Sequence, residues 1–112
     1  MLAKKYRLTK SRDFRRLQTR GRSGYNRFFK LVFLPNRLAA SRLAVVVSTR
    51  LSKKAVQRNR LRRQCLEIMR LHWRQISAGY DILLRPSHQT LGQAYPELEK
   101  ALLALLRRAK LT

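Results

Sequence analysis

The chain has 112 residues, 45% of them hydrophobic, with 27 Lys and Arg against five Asp and Glu and a formal net charge of +22. Length bounds it to a single domain, 1–112, and the hydrophobic fraction supports a packed core, which excludes a wholly disordered basic tail. So large an excess of cations repels itself and is expected where the partner is a dense polyanion. An anionic membrane is the competing partner. No apolar run of about 18 residues and no signal-peptide pattern is present, so the expectation is a cytoplasmic protein without a membrane partner.

Residues 1–7 are basic and read as a flexible tail. Residues 11–19 read as a short helix, with Ser11 as N-cap, Asp13 in the first turn, and Phe14 and Leu17 on one face. Gly21 and Gly24 interrupt the pattern, and a weak strand signal covers residues 22–25. Residues 28–34 are aromatic and β-branched and end at Pro35-Asn36, a strand with Phe29 and Phe33 on one face and Phe28 on the other. A further strand spans 43–47, with Leu43, Val45 and Val47 on one face.

Residues 55–77 read as a long amphipathic helix stopped by Gly79. At about 100° per residue, Leu61, Cys65, Ile68, Met69, His72 and Ile76 form its apolar arc, and Arg60, Arg63, Arg70 and Arg74 lie opposite. Residues 80–84 form another strand, with Ile82 and Leu84 on one face. The closing helix covers 94–109: Pro96 fits its first turn, Glu97 and Glu99 suit its N-terminal dipole, and Leu98, Ala101, Leu102, Leu105 and Ala109 form its core face. The clearly signalled order, α-β-β-α-β-α, predicts a compact α/β sandwich with helices covering much of one sheet face.

The densest chemical signal is Arg58-Asn59-Arg60-Leu61-Arg62-Arg63. Five of these six side chains donate hydrogen bonds, and four are arginines, whose planar forks match phosphate oxygens. A solvated charged face normally mixes signs. Here Glu67 alone accompanies six arginines between residues 58 and 74, so the pattern points to nucleic acid.

Catalytic chemistry is poorly supported. The carboxylates are scattered, His72 falls in the apolar arc as a packed core residue, His88 has no acidic neighbour, and no zinc spacing, phosphate-binding glycine loop or nucleophile elbow occurs. Cys65 sits among apolar positions and reads as a small buried hydrophobe. Phe14, Phe28, Phe29 and Phe33 are candidates for stacking on unpaired bases, with core packing as the competing role.

In this order, Val47-Ser48, Lys53-Lys54-Ala55, the arginine motif and Glu67 resemble the signature of the bacterial ribonuclease P protein component. Upstream, Leu8, Ser11, Asp13-Phe14 and Leu17 fit that family's opening helix. Downstream, Tyr80-Asp81-Ile82-Leu83-Leu84 fits its last strand, and residues 98–106 its closing helix. The resemblance implies an α-β-β-β-α-β-α fold with a four-stranded mixed sheet and a left-handed β-α-β crossover carrying the arginine helix.

It also implies a role: a cofactor, inactive alone, of a catalytic RNA that removes the 5′ leader from precursor tRNA. The implied partners are that RNA and precursor tRNA, with no obligate protein partner. No cofactor is expected on the chain itself, and Mg2+ is expected as a requirement of the holoenzyme. Carried over by position, Lys53, Lys54, Arg58, Asn59, Arg60, Arg62 and Arg63 contact the catalytic RNA. Phe14, with Phe29, Phe33 and Ser48, makes the expected leader-binding cleft. The chain departs from the family at Leu66, where arginine is frequent, and at Gln18, where an aromatic is frequent. Residues 49–54 match the longer of the family's two loop versions. The main alternative is a ribosomal protein or general RNA chaperone without a processing role. A helix-turn-helix regulator is disfavoured because strands flank the arginine helix, and a self-sufficient nuclease because carboxylates do not cluster.

Overall fold

The computed structural model describes residues 2–112. Its elements run α1 (Ser11–Arg20), β1 (Arg22–Tyr25), β2 (Phe29–Pro35), β3 (Arg42–Val45), α2 (Ala55–Leu71), β4 (Tyr80–Pro86) and α3 (Tyr95–Arg108), with 3-10 turns at Lys4–Tyr6, Trp73–Gln75 and His88–Thr90. The expected α-β-β-β-α-β-α order and mixed four-stranded sheet are present, including the weakly signalled β1. The sheet order is β1-β2-β4-β3. β2 pairs antiparallel with both β1 and β4, and β3 runs parallel to β4. A parallel pair needs a crossover, and α2 supplies it.

Side-chain alternation divides the sheet into two faces. Phe29, Leu31, Phe33, Leu43, Ile82 and Leu84 point to one face, where α2 contributes Leu61, Cys65, Ile68 and Met69, and α3 contributes Leu98, Leu102, Leu105 and Leu106. Val32, Leu34, Leu83 and Ala44 point to the other, where α1 packs through Phe14 and Leu17. Gly21 ends α1 because of close approach: a Cβ there would collide with the Leu17 carbonyl and lie 2.6 Å from Val32 Cγ1.

Several expectations are corrected. Ser11 is the first helical residue of α1, and Lys10 holds the cap position without a side-chain hydrogen bond. α2 ends at Leu71, well before Gly79, because the chain tightens into the 3-10 turn at Trp73, whose ring packs against Tyr6 with centroids 5.6 Å apart. His72 is partly exposed, with Nε2 3.1 Å from Glu99 Oε2, and so links α2 to α3 instead of filling the core. The segment expected as a flexible tail is folded over its described residues 2–7. Leu2 is buried, Arg7 Nε donates to the Leu2 carbonyl at 3.0 Å, and Arg7 bridges Leu43. Leu8 N–H then donates to the Leu43 carbonyl at 2.9 Å. This segment covers part of the free edge of β3, where unpaired backbone groups would otherwise invite strand addition.

One buried charge pair ties α1, β3 and β4 together. Asp81, 1% exposed, accepts from Arg42 Nε at 2.9 Å and Nη2 at 2.8 Å, and from Asn36 Nδ2 at 2.9 Å. Asp13 of α1 lies 3.4 Å from the same guanidinium. The Asp81 hydrogen bond, opposed by burial, raises the pKa of Arg42.

Replacing Asp81 with Ala strands Arg42 and is expected to cost about 3–5 kcal/mol, read as a lowered urea midpoint; an unchanged midpoint would contradict the clamp. Burial pushes the Cys65 thiol up to about 12. Native protein should therefore resist iodoacetamide at neutral pH and react once denatured, by mass spectrometry.

Candidate nucleic-acid interface

The arginine motif opens α2 and is braced by the loop before it. Ser52 Oγ donates to Gln57 Oε1 at 2.5 Å and accepts from Lys54 N–H at 3.2 Å, while Arg58 Nη1 donates to the Ser52 carbonyl at 2.8 Å. Asn59 Oδ1 accepts from Arg62 Nη1 at 2.9 Å, and its carbonyl from Arg63 Nε at 3.4 Å. These bonds pre-orient long side chains and so reduce the rotamer entropy lost on docking a phosphate.

Helical spacing separates the motif into rows. Arg63 lies opposite the buried stripe of Leu61, Cys65 and Ile68, with Asn59, Glu67 and Arg70 around it. Arg60 and Gln64 lie on one flank. Arg58, Arg62 and Leu66 form an i, i+4, i+8 row on the other. Lys53, Lys54, Asn59, Arg60 and Arg63 are exposed, and Arg58 and Arg62 are partly buried.

The carboxylates do not neutralise this face. Asp13 and Asp81 hold Arg42, Glu99 meets His72, and Glu67 binds Arg70 at 2.5 Å. The Arg70 hydrogen bond lowers the Glu67 carboxyl below the usual carboxylate range. Among the described residues no motif arginine forms a salt bridge, and no group of three His, Cys, Asp or Glu gathers to hold a metal. No helix of the described residues is long and apolar enough to cross a membrane.

A second feature lies beside α1. Phe14, Leu8, Ala44, Val46 and Leu66 line an apolar cleft of ≈ 330 Å³, with Arg7 and Thr9 also on its wall. It places the Leu66 row of α2 alongside α1 and the edge strand β3, so arginine helix and cleft are continuous. Phe14 is the sequence-predicted cleft residue found there.

Phe29 and Phe33 are not in it. They are 1% and 8% exposed on the opposite face of the sheet, held under α2 and α3. Phe28 also packs against that core. Ser48 is exposed beyond β3, where its carbonyl accepts from Leu51 N–H at 3.2 Å, and it does not line the cleft. Sequence reasoning overlooked Ala44, Val46 and Leu66. The signal for the first two was the even-numbered set of residues 43–47, although the odd-numbered Leu43 and Val45 also line the cleft.

Comparison with known proteins matches this arrangement along nearly the whole chain. The family model for Ribonuclease P matches residues 2–110. The ribonuclease P protein component of Finegoldia magna is 35% identical over 106 residues, covering 95% of this chain and 92% of that protein. The component of Clostridium botulinum is 34% identical over 107 residues, covering 95% and 96%. Among solved structures, a Staphylococcus aureus RNase P protein mutant with defective mRNA degradation activity superposes with a TM-score of 0.91 at 29% identity, covering 97% of this chain and 92% of that one. The Thermotoga maritima RNase P protein superposes with a TM-score of 0.84 at 33% identity, covering 91% and 96%. Sequence and fold thus agree over almost the full length on both sides, and the chain belongs to the ribonuclease P protein family.

Proposed function

We propose that the chain acts in the cytoplasm as the protein subunit of ribonuclease P. It docks on the catalytic RNA through α2 and receives the 5′ leader of precursor tRNA in the cleft beside α1, assisting endonucleolytic removal of that leader. The observation that carries this reading is the union, in one small domain, of an arginine face without carboxylate partners and an adjoining apolar cleft. Arginine forks neutralise phosphates and fix the register of the complex. An unpaired leader presents bases that a duplex would hide, and Phe14 offers a ring on which one can stack while Val46 and Leu66 exclude water. A ribosomal protein or general RNA chaperone would share the charge, but family membership does not favour it.

Hydrolysis belongs to the RNA partner in this reading. Mg2+ is a requirement of the assembled ribonucleoprotein. Four of the five carboxylates here are engaged with Arg42, His72 or Arg70, which leaves this chain no carboxylate cluster for the ion among the described residues.

Reconstitution tests the proposal. At low magnesium, cognate RNA with this chain should cleave precursor tRNA at the mature 5′ end, whereas the chain alone should not. Affinity for that RNA should fall roughly 10³-fold between about 50 and 200 mM salt if about six phosphates are neutralised, and Arg63→Ala should flatten the dependence by about one ion. Cleavage by nuclease-free chain alone, or a salt-independent affinity, would overturn it.

The cleft has its own test. Phe14→Ala should weaken precursor tRNA binding by about 1–3 kcal/mol and leave mature tRNA, which has no leader, unaffected. A stable variant with unchanged discrimination between the two would remove Phe14 from the site.

A further inference from the structure

The flank of α2 facing away from the leader cleft carries a second recess. α2 and the loop before α3 enclose a crevice of ≈ 200 Å³ that includes Gln57, Arg60, Leu61, Gln64, Leu91 and Gln93. Gln57, Leu61 and Gln64 follow i, i+4, i+7 spacing, so two amides stand above and below one leucine on a single helix face. Gln93 comes from the opposite wall, and Arg60 is exposed. No carboxylate lines the recess.

Two of its three side-chain amides, those of Gln64 and Gln93, are half-buried and make no hydrogen bond with the protein among the described residues. Gln57 accepts one bond from Ser52 and keeps both N–H donors free. A phosphate-binding site would hold cations or backbone N–H groups. This one holds a single cation, Arg60, at its side and is otherwise lined by neutral glutamine amides, with donors and acceptors, over leucine side chains. That is the chemistry that reads a base edge: a side-chain amide presents the paired donor and acceptor that a nucleobase, adenine above all, complements. Arg60 is placed to take the phosphate of the same nucleotide.

We propose that this crevice receives a single unpaired nucleobase of the RNA docked along α2. It supplies sequence or shape selectivity that the arginines, as phosphate contacts, cannot supply. The inference rests on the reading above that α2 faces RNA. Its volume suits one planar base and excludes a folded RNA element.

The test compares Gln64→Leu and Gln93→Ala with Arg63→Ala and wild type, using full chain and cognate ribonuclease P RNA over a salt series. Heparin serves as a polyanion without bases. Each glutamine variant should lose roughly tenfold in RNA affinity, the scale of one lost amide–base pair, with an unchanged salt slope because a neutral group releases no counterion. Heparin affinity and the unfolding midpoint should stay at wild-type values. Unchanged RNA affinity in both glutamine variants, with Arg63→Ala still impaired, would overturn this inference alone. Wild-type RNA affinity in all three would overturn the α2 reading itself. A flattened slope, or an equal loss toward heparin, would assign the glutamines a general electrostatic or structural role and also overturn it. Titration with the four nucleoside monophosphates separates the remaining source of the same chemistry. Saturable submillimolar binding of one of them, abolished by Gln64→Leu, would assign the crevice to a free nucleotide and overturn the RNA reading.

Discussion

The fold depends on how few carboxylates it has and where it uses the most buried one. Asp81 sits on β4 with 1% of its surface exposed and receives both arms of Arg42 as well as the Asn36 amide. A bidentate, hydrogen-bonded pair is the geometry in which a buried charge is tolerated. Asn36 extends the network by donating to the Ala40 carbonyl and accepting from Leu38 N–H, which ties down the connection between β2 and β3. With Asp13 drawn to the same guanidinium, one cation anchors α1 to the sheet. The motif arginines are left without carboxylate partners, and their mutual repulsion is a cost that a polyanionic partner relieves.

The sheet then sorts its side chains between two tasks. Two helices bury one face as a continuous core, and one short helix covers only part of the other. The uncovered part of that second face, with the side of α2 that carries Leu66, becomes the cleft. Parallel pairing of β3 with β4 requires α2 as the connector, and that requirement brings an arginine-rich helix beside the edge strand that floors the cleft. The arginine helix and the apolar cleft therefore adjoin because of topology. Neither depends on a long loop.

Within α2, the periodicity that buries Leu61, Cys65, Ile68 and Met69 distributes the arginines over the remaining circumference. Arg58 and Arg62 share the cleft flank with Leu66, Arg63 points outward, and Arg60 shares the far flank with Gln64. No one line along the helix meets all of them.

The local signals decided much of this from sequence alone. The arginine motif, the helical period of α2 and α3, and the alternation in β2 and β4 follow from residue chemistry and spacing, which need no partner to be read; the ordered motifs separately carry the resemblance to ribonuclease P proteins. Even β1, four residues long, preceded by Gly21 and containing Gly24, gives a weak strand signal. Tertiary structure decided what depends on partners distant in sequence. Alternation puts Phe29 and Phe33 together, but only the arrival of α2 and α3 on that face makes them core and leaves the cleft to Ala44 and Val46. Trp73 could have continued a helix, yet its contact with Tyr6 turns the chain after Leu71. Residues 2–7 are basic enough to read as a tail, and they fold because Leu2 finds the core and Arg7 finds the edge of β3. A period of two or of 3.6 residues identifies which side chains share a face; which face is buried is set by the volume packed against it, and that volume comes from elsewhere in the chain.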